Sequence, residues 1–182
     1  ADIEVPEGGA EGMILTSGGR FAGYGFFMLE GKPVFLWNLL NLKRVKWEGS
    51  EALAPGRHTV EFVFKYDGLG AGTLAYNNMS GLGQSGTGML KVNGKVVDTK
   101  EMKRTLPIIL QWDEAFDVGS DTLTGVNDAD YKPPFPLTAK LNKLTIKVDR
   151  PQLSEEDVKK LENTQAIAVD GNPIHHLQGG PH

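Results

Sequence analysis

Apolar and polar positions alternate with a period of two along much of the chain, the signature of strands that bury one face. Residues 58–66 show it best. Val60, Phe62, Phe64 and Tyr66 fall on one side, and Thr59, Glu61, Val63 and Lys65 on the other. Residues 12–17 form a short apolar run that ends at Gly18-Gly19. Residues 24–29 and 33–37 flank Glu30-Gly31-Lys32, which predicts a hairpin with Gly31 supplying the unusual backbone angles. Residues 42–47 alternate apolar side chains with Lys43, Arg44 and Lys46, and Pro55-Gly56 marks the next turn. Residues 89–92 and 95–98 are joined by Asn93-Gly94, the preferred pair for a type I′ turn.

Other stretches depart from this pattern. Residues 68–88 are rich in Gly, Ser and Asn and predict a long surface loop, or two loops around a weak strand at 74–76. Residues 106–112 are apolar and predict a strand leading into an acidic loop, 112–131. After it, Lys132-Pro133-Pro134-Phe135-Pro136 is incompatible with a central strand. Residues 141–148 predict a closing strand, with Leu144, Ile146 and Val148 facing inward. Beyond Pro151, Ser154 stands before Glu155, Glu156 and Asp157 as a helix cap, with acids at the positive end of the dipole. No helix stands between strands, and no internal repeat is visible. The expected fold is all-β: an antiparallel two-sheet β-sandwich of the jelly-roll kind over residues 1–150, with a short C-terminal helix and tail over 151–182.

Composition narrows the function. The chain has 182 residues, 40% of them hydrophobic, enough for a real core, and its net charge of -4 with no strong basic patch argues against nucleic acid. It has no cysteine, which removes disulfides, thiol catalysis and Cys-type zinc sites. No apolar run reaches the ~20 residues of a membrane helix, so no membrane partner is expected.

The richest candidate chemistry lies at 112–131, where Asp113, Glu114, Asp117, Asp121, Asp128 and Asp130 stand without a Lys or Arg among them. Calcium takes hard oxygen ligands, and Asp117, Asp121, Asp128 and Asp130 are the candidate metal ligands. The spacing fails the EF-hand template. The competing reading is a turn shaped by Asp and Thr side chains bonded to nearby amides. Two of these acids are also candidates for glycosidase chemistry, which needs carboxyls roughly 5 to 9.5 Å apart. Trp37, Trp47, Tyr76 and Trp112 are candidates for stacking on sugar rings, against the usual fate of large aromatics in a core. Weaker signals are the G-x-G-x-x-G match at 81–86, which lacks a following helix, the sequon at Asn78, and His58, His175, His176 and His182, which form no zinc-binding motif.

One set of segments carries more information than any single motif: I-E-V-P-E-G-G-A-E-G-M-I-L-T-S-G-G-R-F-A-G-Y-G-F at 3–26, G-K-P-V-F-L-W-N-L-L-N-L at 31–42, L-A-P-G-R-H-T-V-E-F-V-F-K-Y-D-G at 53–68, G-T-G-M-L-K-V-N-G-K at 86–95, D-E-A-F-D-V-G-S-D-T at 113–122 and the strand at 137–148. In this order they resemble the C-terminal, concanavalin A-like domain that follows the catalytic domain in long bacterial arylsulfatases. The resemblance covers about residues 1–150. It implies a non-catalytic accessory domain that packs on a sulfatase catalytic domain, in the same or a separate chain, and lines its cleft. The sulfatase nucleophile signature is missing, so the isolated chain is expected to be no enzyme. Arg20, in G-G-R-F, matches a family position. The compartment expected with such a parent is periplasmic or secreted. A second reading is a stand-alone carbohydrate- or ligand-binding module, calcium-assisted or not, for which Arg20, Trp47, Tyr76 and Asp113 are candidate ligand or interface residues. A third is a sandwich hydrolase that uses Asp117 and Asp121.

Overall fold

The computed structural model describes residues 1–67, 85–105, 114, 116–149, 154–156, 158–159 and 162–163. Within them run β1 (Asp2–Val5), β2 (Gly12–Gly18), β3 (Ala22–Leu29), β4 (Lys32–Leu39), β5 (Lys43–Glu48), β6 (Gly56–Tyr66), β7 (Gly86–Val92), β8 (Lys95–Met102), β9 (Phe116–Val118) and β10 (Lys140–Lys143). They form two five-stranded sheets, ordered β10-β1-β6-β7-β8 and β5-β4-β3-β2-β9, and every strand pair in both is antiparallel. The expected two-sheet sandwich is therefore present. Among the described residues, the sheets share no strand and do not close into a barrel, and β10, β8, β5 and β9 stand at their edges.

The turns follow from backbone sterics. Glu30-Gly31, Leu40-Asn41 and Asn93-Gly94 each place both central residues at positive φ, the geometry that matches the twist of a two-residue hairpin. The sequence marks the first and third with glycine. The second uses Leu40 at φ 50° and Asn41 at φ 57°, a conformation that disfavours a leucine.

The main core lies between the sheets. Ile3, Val5, Ile14, Phe26, Met28, Trp47, Val60 and Leu90 are buried there, with Phe35 and Phe62 stacked at 3.5 Å between centroids. Trp47 is fully buried, and its indole N–H donates to the Gly88 carbonyl at 2.9 Å. The missing side chain at Gly88 makes room for that ring, since a Cβ there would meet Trp47 Cζ2 at 2.5 Å. At the same margin the Glu48 N–H donates to Asp98 Oδ2 at 3.0 Å, and the Lys100 ammonium donates to the Lys46 carbonyl. These bonds tie edge β5 to edge β8 and leave less backbone for another chain to pair with.

A second apolar cluster lies on the opposite side of the other sheet. Met13, Phe27, Val34 and Leu36 point away from the main core and are covered by Val126, Tyr131 and Phe135. The middle of this sheet is thus buried on both faces, which is why β2 and β3 read as near-continuous apolar runs instead of clean alternations.

Several sequence expectations change. The closing strand is shorter than residues 141–148: β10 ends at Lys143, opposite Asp2, and residues 144–149 join no strand among the described residues. Ile146 and Val148 are consequently 57% and 87% exposed, not inward-facing, while Leu144 does pack against the core. Strands β1 and β9 were not expected from the pattern. Of the expected loop at 68–88, residues 68–84 lie outside the described residues and residues 86–88 already belong to β7, while the expected strand at 106–112 and most of 151–182 also lie outside them. The expected C-terminal helix is described only at 154–156, 158–159 and 162–163, too broken a set to establish an element. Among the described residues, no helix is long and apolar enough to cross a membrane.

Candidate functional site

The acidic stretch is built into the fold from its first strand onward. β9 pairs with β2 through Leu15↔Val118, Thr16↔Asp117 and Ser17↔Phe116. Gly119, at φ 80°, turns the chain and donates its N–H to the Ile14 carbonyl at 3.1 Å. The chain then folds back over the sheet and is fixed by main-chain bonds. Phe135 N–H donates to the Asp121 carbonyl at 2.9 Å, Leu137 N–H to the Gly119 carbonyl at 2.9 Å and Met13 N–H to the Phe135 carbonyl at 3.0 Å. Tyr131 stacks on Phe135 at 4.5 Å between centroids and tilts against Phe27 at 5.4 Å.

Asp121 is the buried acid of this layer, 1% exposed. Its carboxylate accepts a hydrogen bond from the Tyr131 hydroxyl, which in turn accepts from the Val126 N–H at 3.0 Å. Burial pushes the Asp121 carboxyl above its ordinary value of 3.8; the Tyr131 hydrogen bond opposes that shift, and the charges of Glu114 and Asp117 add to it. Burial, followed by the hydrogen bond to Asp121, pushes the Tyr131 hydroxyl well above its usual range.

The other acids have separate partners. Asp117 Oδ2 accepts from the Thr122 hydroxyl at 3.0 Å. Asp128 Oδ1 lies 3.2 Å from Arg44 Nη2, and Asp130 Oδ2 lies 3.2 Å from Lys46 Nζ. Glu114 Oε1 accepts from the Thr124 N–H at 2.5 Å. Among the described residues, no group of three or more His, Cys, Asp or Glu side chains is placed to hold a metal ion. Asp121, Asp128 and Asp130 thus lie in the covering layer and Asp117 in the edge strand that leads into it, and each is engaged with a protein group.

The remaining candidates are scattered. Trp47 offers no ring face to solvent. Arg20 sits in the exposed β2–β3 turn; its N–H donates to Thr124 Oγ1 at 3.4 Å and its carbonyl accepts from Asn38 Nδ2 at 2.9 Å. Tyr76, Trp112, Asp113, Asn78, residues 81–84 of the G-x-G-x-x-G match at 81–86 and the three C-terminal histidines lie outside the described residues. Buried Asn38 also donates to the Gly19 carbonyl at 3.0 Å and accepts from the Asn41 N–H at 3.1 Å. One amide therefore clamps the β2–β3 and β4–β5 turns together. This end of the sandwich displays Phe21, Leu40 and Leu42, which are 55%, 41% and 84% exposed.

The structure also holds a site that the sequence pattern did not single out. On the β10-β1-β6-β7-β8 sheet, a cavity of about 490 Å³ is lined by Asp2, Arg57, His58, Thr59, Asn93 and Asn142, with Ile3 beneath. Its walls are held in place. Asp2 Oδ1 accepts from the Thr59 hydroxyl at 3.0 Å, and Asn93 Oδ1 accepts from the Thr59 N–H at 2.9 Å. His58 Nε2 lies 2.8 Å from the Ala54 carbonyl, which makes it the donor and leaves Nδ1 to accept from Asn93 Nδ2 at 3.1 Å. Arg57 is exposed and makes no ion pair among the described residues, although Glu4 stands opposite it in register. Only the Asn-Gly turn was legible beforehand. The site needs four chain segments, and their meeting depends on the sheet order.

Compared with protein-family models, curated proteins and solved structures, the chain finds no match.

Proposed function

We propose that the chain is a non-catalytic, lectin-like binding module of the jelly-roll class that takes a carbohydrate on the outer face of the β10-β1-β6-β7-β8 sheet, the face that no other described segment covers. The observation that supports this most is the contrast between the two outer faces. One is covered by the chain's own 119–136 segment. The other presents a polar cavity within the ~300–1,000 Å³ range of small-ligand sites, edged by the carboxylate, amide, hydroxyl and guanidinium groups that sugars bond to. The acids of the covering layer and of β9 are taken by Arg44, Lys46, Thr122 and Tyr131, so binding proceeds without calcium. Calorimetric titration against a panel of neutral and acidic oligosaccharides, in calcium and in chelator, tests the reading. Binding of the same strength in both conditions is expected. Failure to bind any member of the panel overturns it.

A second reading, an accessory domain on an arylsulfatase-type catalytic domain, is favoured by the apolar turn tips at Phe21, Leu40 and Leu42 together with the sequence resemblance. Exposed apolar groups held rigidly by a buried amide suit a protein interface. Any hydrolase activity would then belong to the catalytic partner. Capture of a separately expressed sulfatase catalytic domain by this chain is the expected result, and no association at tens of micromolar, about 10⁻⁵ M, removes the reading.

A further inference from the structure

We infer that the cavity on the β10-β1-β6-β7-β8 sheet is specific for an acidic sugar, a uronic acid residue whose carboxylate is held by Arg57. This rests on the binding-module reading above and names its ligand class.

Most polar groups of the cavity wall are already engaged. Asp2 Oδ1, both polar atoms of the Asn93 amide and both His58 nitrogens already have protein partners. They build the wall and fix its shape. Among the lining residues, the Arg57 guanidinium, the second oxygen of Asp2 and the Asn142 amide have no hydrogen bond to another described residue. An arginine offers a planar fork of donors that matches a carboxylate with two parallel bonds. Its natural competitor, Glu4, is its cross-strand neighbour but forms no ion pair with it. Among the described residues, the guanidinium has no ion-pair partner and can take a ligand carboxylate.

The second observation is the position of Asn142. The register of β1 with β10 passes from Asp2↔Lys143 to Ile3↔Leu141, so Asn142 is the extra, unpaired residue at a register shift of the bulge kind. A bulge re-aims a side chain that regular pairing would place elsewhere, and bulges concentrate beside functional sites. Here it brings an amide to the cavity beside Asp2. A carboxylate oxygen that accepts and an amide that both donates and accepts suit adjacent ring hydroxyls, which do the same. Arg57 and the Asp2–Asn142 pair thus divide the labour: one reads the acid group, the other the ring hydroxyls. A neutral hexose satisfies only the second part.

The test is to titrate the full chain with an oligosaccharide of glucuronic acid and with the matching glucose oligosaccharide, for wild type and for Arg57→Ala and Arg57→Lys. Arg57 is exposed and forms no ion pair among the described residues, so both variants are expected to keep the wild-type melting temperature. The glucuronate ligand is expected to bind wild type about tenfold or more tightly than the neutral one, a difference that shrinks at high salt. Arg57→Ala is expected to remove that preference, and Arg57→Lys to restore part of it. Equal binding of the two sugars, or a preference that survives Arg57→Ala, overturns the inference while leaving the binding-module reading standing. Absence of binding to either sugar, and to the wider panel, overturns both.

Discussion

At the scale of single residues, the most telling pair is Asp121 and Tyr131. The carboxylate is buried, accepts from the phenol and sits near Glu114 and Asp117, all of which bear on its charge. Because its folded-state pKa lies above the unfolded value, the folded chain retains this proton to higher pH. The cost of burying the charge is therefore present above the folded pKa, and it is relieved as pH falls through that value toward 3.8. Tyr131→Phe removes the one side-chain bond that favours the ionised form and leaves the Val126 N–H without its acceptor. A loss of about 1–3 kcal/mol near neutral pH is expected in urea unfolding, since hydrogen bonds to buried charged groups have that magnitude. The loss should shrink as the pH is lowered and Asp121 takes up its proton. A loss independent of pH would show that the phenol does not act on the carboxylate's charge. The acids of this stretch were plain in the sequence, but their partners were not. Arg44 and Lys46 come from β5, and no local spacing links them to Asp128 and Asp130.

At the scale of elements, the hairpins were legible because their causes are local. Asn93-Gly94 and Glu30-Gly31 carry a glycine where a positive φ is needed. The turn at Leu40-Asn41 lacks one, and its geometry is supported from outside by the Asn38 amide. β1 and β9 were not legible, being only four and three residues long and defined by their neighbours. The 119–136 segment reads as a loop because its apolar residues, Val126, Tyr131 and Phe135, follow no period; they cover a sheet face without forming a strand of it. The turn tips give a prediction at this scale. Leu42 is 84% exposed, so Leu42→Asp should change stability by no more than about 0.5 kcal/mol. If this end docks on a catalytic domain, the same change should abolish capture, because an aspartate would be buried without a partner. Capture that survives Leu42→Asp would place the interface elsewhere.

At the scale of the whole molecule, the two outer faces of the sandwich have different fates. Segment 119–136 makes a third layer on one, and its acids are spent on holding that layer. Among the described residues, no segment covers the other face, which carries polar groups around a shaped cavity. The all-β sandwich was legible from periodicity alone. The location of the candidate site was not, since Asp2, Arg57, Asn93 and Asn142 meet only through the order β10-β1-β6-β7. The central claim is that ligand binds this face and not the acidic layer. Backbone amide chemical shifts followed during titration with a bound oligosaccharide test it most directly. The account predicts that the largest changes fall in β1, β6, β10 and the turn at Asn93-Gly94, with residues 116–131 unmoved. Changes confined to 116–131 would contradict it.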